Sequence, residues 1–304
     1  MLKHAYPSPQ VPARVVIIGA GGFIGGAIAD RLAQDNISVL RLTRHEINLL
    51  SPDAAAKLAA ILKPDDVFIA ASAMAPCKTP EMLRDNMIMA AAMTQALQQS
   101  PVAHVMNISS DAVYADSAEP LTENSITAPD NLHGVMHLAR EIIFQAVVKS
   151  PLTILRPTLV YGARDPHNGY GPNKFRRAAN KGESITLFGE GEERRDHVLV
   201  DDIAELAARM VIHRSSGVLN IATGEVTSFR IIADKVVELS GNPVKITGSP
   251  RSGPMPHNGY RAFAADGTRA AFPNFKYTPL AQGLAQAQKE EFGNGASQPA
   301  RLAS

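Results

Sequence analysis

The sequence predicts an α/β fold: a doubly wound parallel sheet, with a small lobe added towards the C-terminus. Two observations predict it. From Arg14 onward, short apolar runs alternate with longer helix-like stretches, the pattern of βαβ units whose sheet is covered on both faces. The apolar runs are 15–18, 37–42, 67–71, 102–108 and 152–155, and the helical stretches are 22–34, 52–62, 80–99 and 132–149. A length of 304 residues then leaves room for one large α/β domain and a smaller lobe.

The texture changes after Tyr161. Residues 162–174 are rich in Gly, Pro and Asn and read as a long loop leaving a strand, a place where function tends to collect. Beyond it come a helix at 201–213, a strand at 218–221, a helix at 228–240 and a closing helix at 279–292. The small lobe is therefore interleaved with the sheet. Residues 1–12 carry three prolines and no periodicity, and are expected to form an untied tail.

Composition excludes several classes. A net charge of +1 offers no concentrated basic face for nucleic acid. The single cysteine, Cys77, excludes an intramolecular disulfide and fits a cytoplasmic, reducing setting. The apolar stretch 15–29 behind Arg14 superficially resembles a signal-peptide core. Five glycines interrupt it and no cleavage pattern follows, so it is read as part of the fold. No apolar run reaches the roughly eighteen residues needed to cross a membrane.

The first βα junction carries Gly19-Ala20-Gly21-Gly22-Phe23-Ile24-Gly25. Gly19 permits a tight turn, Gly22 lets backbone approach a pyrophosphate, and Gly25 lets the helix pack on the strand. The helix N-terminus offers free N–H groups to the phosphates. A Gly-rich turn alone is weak evidence, but its place between strand and helix makes it a cofactor signal. Residues 13–162 then form the Rossmann-type nucleotide domain, and 198–221 return to it. Residues 163–197 and 222–292 supply the substrate lobe and terminal helix, and 293–304 a second tail.

The Gly-x-x-Gly-x-x-Gly spacing resembles the extended short-chain dehydrogenases/reductases, the NAD-dependent epimerase/dehydratase group. The resemblance runs in order through Ile108-Ser109-Ser110-Asp111-Ala112-Val113-Tyr114, Leu155-Arg156-Pro157, Val160-Tyr161-Gly162, Arg195-Asp196-His197-Val198 and Tyr277-Thr278-Pro279-Leu280. It covers the chain from Arg14 to Phe292. Each motif is modest, and the ordered set is strong.

What this resemblance implies is a nicotinamide cofactor at Gly19, Gly22, Phe23, Ile24, Gly25, Thr43, Arg44, Ala71 and His137. NAD enzymes carry an acid at the end of the second strand for the ribose hydroxyls. Here Thr43 stands in that place with Arg44 next, and an arginine suits the 2′-phosphate of NADP. NADP is thus expected over NAD, against the plain reading of two solvated surface arginines, Arg41 and Arg44.

The family's catalytic side chains are a Ser or Thr, and a Tyr and Lys four residues apart on a helix. Ser110 matches the serine, or else merely caps a turn. The Tyr-x-x-x-Lys pair is absent, and His133 and His137 stand in its place. Three readings follow. His133 is itself the acid/base, since imidazole titrates near neutrality, with neutral His137 on the ribose. Alternatively the protein binds cofactor but has lost the chemistry. Or His133, His137 and Glu141 bind a metal from adjoining helical turns, which the family position argues against, so no metal is expected. A hydrolase triad of Ser110, Asp111 and His133 lacks its Gly-x-Ser-x-Gly elbow.

On the substrate side, Arg195 matches the family arginine for a nucleotide-sugar diphosphate, with Arg251 a looser candidate. An ion pair of Arg195 with Glu193 or Asp196 is the bland alternative. Leu159, where the family often has asparagine, weakens the nucleotide-sugar assignment. The expected function is an NAD(P)-dependent oxidoreductase, epimerase or dehydratase acting on a nucleotide-sugar-like small molecule, with Ser110 and His133 at the reacting oxygen. A homodimer is compatible with that reading. The alternative is a non-catalytic NADP-binding sensor or scaffold.

Overall fold

The computed structural model describes residues 2–293. The chain runs β1 (Lys3–His4), β2 (Arg14–Ile18), α1 (Phe23–Gln34), β3 (Val39–Leu42), α2 (Ala54–Ile61), β4 (Asp66–Ala70), α3 (Pro80–Gln99) and β5 (His104–Ile108). It continues through α4 (Leu132–Val147), β6 (Leu152–Pro157), β7 (Leu159–Tyr161), α5 (Pro172–Asn180), β8 (Ile185–Phe188), β9 (Arg194–Leu199), α6 (Val200–Ile212) and β10 (Ser215–Ile221). Last come β11 (Val226–Ser228), α7 (Phe229–Ser240), β12 (Ile246–Ser249), β13 (Tyr260–Arg261), α8 (Asp266–Ala271) and α9 (Leu280–Phe292).

The main sheet has the order β1-β10-β6-β5-β4-β2-β3, parallel except at β1. Strand β2 shows why it is doubly wound. Val15 and Ile17 point into one core with Ile28 and Leu32 of α1 and Ile203 and Ala207 of α6. Val16 and Ile18 point into the other, with Leu58 of α2, Met93 of α3 and Phe144 of α4. Side chains alternate across a strand, so a strand apolar throughout must be covered on both faces. Each fully buried Ile or Leu contributes on the order of 1.5–3 kcal/mol. The chain goes from β2 to β3 on one side and to β4 on the other. That switch point is where such sheets bind ligands at the carboxyl ends of their strands.

A smaller sheet, β11-β9-β13 with β7 on β9, and the pair β12-β8 form the second lobe. Its core joins Phe175 of α5, Leu187 of β8, Phe229 and Ile232 of α7 and Leu284 of α9.

Two expectations need correction. Of the tail predicted over 1–12, the described residues 2–12 are not untied. Lys3 and His4 pair with Ser216 and Ser215 on the sheet edge, and His4 bonds Ser215 Oγ at 2.7 Å and the Ala271 carbonyl at 3.0 Å. The strand is two residues long, too short to leave a periodic trace. The stretch after β13 also returns to the main sheet: Phe272 sits in the first core, and Thr268 Oγ1 lies 3.4 Å from the Asn220 carbonyl of β10. Of the second tail, 293–304, residues 294–304 fall outside the described residues.

Candidate active site

The turn between β2 and α1 is the floor of the site. Gly19 has φ +91°, and a Cβ there would meet the Ser72 backbone nitrogen at 2.5 Å. A Cβ at Gly25 would lie 2.3 Å from the Gly19 carbonyl oxygen. Only glycine allows the turn and the helix to approach so closely. α1 starts at Phe23 behind Gly22, with no side chain capping its first N–H groups, which leaves a positive helix end open to an anion.

From this turn a cleft of about 670 Å³ runs to the small lobe. Gly22, Phe23, Ile24, Gly25 and Ala71 line its first part, Ser110, His133 and His137 its middle, and Arg195 its far wall.

The middle is assembled by helix packing. Asn131 caps α4 by accepting from the Gly134 N–H at 3.0 Å. Gly134 lies so close to the turn after β5 that a Cβ would fall 2.2 Å from the Ala112 carbonyl oxygen. That approach sets the first turn of α4, with His133, beside Ser110 and Asp111. Ser110 Oγ accepts from the Ala112 N–H at 3.1 Å, so it caps the short 3-10 turn Asp111–Val113 while facing the cleft.

The two imidazoles meet edge to face with centroids 4.7 Å apart. His133 Nδ1 lies 3.4 Å from the Cys77 backbone nitrogen and accepts from it. Burial pushes the His133 imidazolium below its usual range, opposed by the charge of Asp111 and reinforced by His167. Burial holds His137 well below that range, with His133 and Arg140 adding to the effect. Both rings are therefore neutral at pH 7. His137 Nδ1 has no hydrogen-bond partner among the described residues.

Glu141 is not available to these histidines. It is buried, bound by Arg156 through Nε at 2.9 Å, and accepts from Ser109 Oγ. Tyr114 is equally committed, and Tyr161 does not line the cleft. Tyr114 OH donates to Asn220 Oδ1 at 2.7 Å and accepts from Arg156 at 2.8 Å. Tyr161 is buried against α9, where a Cβ at Gly283 would meet its hydroxyl at 2.0 Å.

On the far wall Arg195 lines the cleft, and its Nε donates to Glu193 at 2.7 Å. Arg251 bonds Glu192 at 3.1 Å and reaches Glu193 at 3.8 Å, and it is not part of the lining.

A model of the NAD-dependent epimerase/dehydratase family matches residues 15–222, which contain every feature above except Arg251 and α9. The chain belongs to this family. A UDP-glucose 4-epimerase of Mycolicibacterium smegmatis is 26% identical over 261 residues, covering 76% of this chain and 83% of that protein. The UDP-glucose 4-epimerase of Thermus thermophilus in complex with NAD superposes with a TM-score of 0.81 at 21% identity, over 92% of this chain and 99% of that one. A GDP-L-fucose synthetase from Naegleria fowleri bound to NADP gives 0.81 at 16% identity, over 96% and 99%. These structural likenesses establish the Rossmann-type fold.

The family's nicotinamide dinucleotide fits the glycine turn, whose backbone is bare and whose helix end is uncapped. The end of β3 is where the sequence resemblance leads one to expect the adenosine ribose. There Glu46 accepts from both the Thr43 N–H at 2.7 Å and the Thr43 hydroxyl at 2.6 Å. Arg41 pairs with Asp30 at 2.8 Å. Arg44 is exposed and makes no ion pair among the described residues.

The structure adds residues to this epimerase/dehydratase cleft that no motif marked. Arg261 of β13, buried, binds the Asp111 carboxylate at 3.2 Å, the Asp111 carbonyl at 2.7 Å and Asp116 at 3.0 Å. His257 pairs with Asp116, and His167 enters from the loop after β7. Arg261 and Asp111 are 150 positions apart, so nothing local in the sequence links them.

Proposed function

We propose that this protein is an NADP-preferring oxidoreductase, epimerase or dehydratase of a nucleotide-sugar-like substrate, with His133 as its acid/base. One observation carries the reading: a single cleft joins the glycine turn to Arg195 and passes Ser110, His133 and His137 between them. The relatives that act on or bind UDP- and GDP-linked sugars support the substrate class.

The glycine turn and the start of α1 bind the pyrophosphate, and neutral His137 bonds a ribose hydroxyl. When bound, the nicotinamide accepts or supplies a hydride. Ser110 donates a hydrogen bond to the reacting oxygen. The Nδ1 lone pair of neutral His133 gives up its 3.4 Å contact with the Cys77 N–H to take the proton from a substrate hydroxyl as that carbon is oxidised, and the ring returns it to the same oxygen on reduction. Its lowered pKa keeps the ring in the unprotonated form at neutral pH. Arg195 holds the diphosphate through its planar fork. Exposed, unpaired Arg44 favours a 2′-phosphate, while Glu46 already occupies the donors of Thr43.

The test is to mix the purified protein with NADP or NAD and a panel of UDP- and GDP-sugars, following nicotinamide absorbance and thermal shift. Turnover with a nucleotide sugar supports the proposal. Tight cofactor binding with no turnover across the panel replaces it with the non-catalytic reading.

A further inference from the structure

Among the described residues, Arg140 is a charge without a counter-charge. It follows His137 by three residues on α4, so both leave the same side of the helix. Its side chain is fully enclosed, with the residue 1% exposed. Nη1 donates to the Ser72 carbonyl at 2.7 Å, and Nη2 donates to the Ala70 carbonyl at 3.4 Å and to Asn107 Oδ1 at 3.1 Å. All three acceptors are neutral. Among the described residues no carboxylate lies within salt-bridge reach of it, and Glu141, its neighbour in the chain, is bound to Arg156. Arg140 Nε and Asn107 Nδ2 also lack partners among the described residues.

The contrast with the other buried arginines is sharp. Arg156, Arg176 and Arg261 each hold a carboxylate. A buried charge without one is costly to the fold, so this cation is not explained by stability. Its location suggests what it serves. Ala70 ends β4, Ala71 and Ala73 line the cleft, and Ser72 lies against Gly19. The guanidinium thus sits beneath the strip of backbone that walls the cofactor turn.

We propose that Arg140 is the uncompensated positive charge beneath this site, and that it biases the cleft towards the reduced nicotinamide, whose ring is neutral, over the oxidised one, whose ring is cationic. The inference rests on the cleft's being a nicotinamide site. Neither histidine supplies such a charge, because burial keeps both neutral: His133 and Arg140 add to the effect at His137, and at His133 it outweighs the opposing charge of Asp111 from the turn after β5, with His167 from the loop after β7 reinforcing it. Burial draws the Arg140 pKa down to about 10, so the guanidinium stays charged at neutral pH. In a water-poor interior its field is weakly screened.

The experiment measures Kd by calorimetry for the oxidised and reduced forms of both NADP and NAD. Arg140→Met and Arg140→Gln remove the charge, and glutamine keeps a donor for the two carbonyls. The ratio Kd(oxidised)/Kd(reduced) should fall on the order of tenfold in both. Arg140→Lys should restore the ratio at about pH 6.5, where the ammonium keeps its proton. In the proton NMR spectrum of the ligand-free protein, His137 should titrate at higher pH in the neutral variants than in the wild type. A structural anchor alone would weaken both cofactor forms equally, so an unchanged ratio in a folded Arg140→Gln protein overturns the proposal. If neither neutral variant folds, the lysine variant decides. Its ratio should fall as pH is raised to about 9 and the amine loses its proton, and a flat ratio overturns the proposal. A wild-type protein that binds no nicotinamide at all would instead remove the cofactor reading on which this rests.

Discussion

The two walls of the cleft, which we assign to cofactor and to substrate, are built from different materials. The cofactor wall is mostly backbone: a glycine turn, an uncapped helix end and the alanines after β4. The substrate wall is crowded with charge, and its cations are already paired, Arg195 with Glu193 and Arg261 with Asp111 and Asp116. The first wall can take an anion without displacing anything. On the second, a ligand phosphate must compete with carboxylates for each arginine, which trades affinity for discrimination.

The middle of the cleft should be most sensitive to change. His133→Ala is expected to cut turnover by about two to four orders of magnitude, while cofactor affinity, carried by the glycine turn, is retained. Loss of both together would mean that the histidine holds the site's shape and not its proton. On the substrate wall, Arg195→Ala should weaken nucleotide-diphosphate binding by about 10- to 100-fold, the worth of a charge-assisted hydrogen bond, with NADPH affinity unmoved. Unchanged ligand binding would leave Arg195 as a partner of Glu193 only.

On the cofactor wall the expected effect is smaller. NADPH should bind about tenfold more tightly than NADH, and Arg44→Ala should remove most of that gap. Equal affinities in the wild type would break the assignment.

Acid should weaken the fold itself. His104 is buried between strands with its pKa pulled down to about 4, and His197 to about 3. Both stay neutral in the folded protein while the unfolded chain takes up protons below about pH 6.5. Their contribution is therefore intact above that pH and is lost as pH falls towards the folded values. The thermal midpoint should drop progressively over that window, and a flat midpoint would show that these rings accept protons in place.

The legibility of the two walls in the sequence follows their construction. The glycine turn is local: strand, turn and helix are consecutive, so spacing alone reports it. The His133 and His137 pair lies on one helix and is equally visible. Arg261 meets Asp111 only because β13 pairs with β9 in the small lobe, and Arg140 has an ordinary place on an amphipathic helix. Its lack of a carboxylate appears only once β4 and β5 are packed against it. The N-terminal strand escaped because two residues make no period, and its hold on the sheet comes from His4 and its hydrogen bonds.

The most direct test of the account is the pH dependence of nucleotide-sugar oxidation in the wild type and in His133→Ala. A neutral, half-buried His133 that accepts the proton predicts a rate that rises with pH through an inflection below about 6.5 and is then level, with both the inflection and most of the turnover gone in His133→Ala. Turnover that survives the substitution, or an inflection well above neutrality in the wild type, would contradict the assignment of the proton to His133.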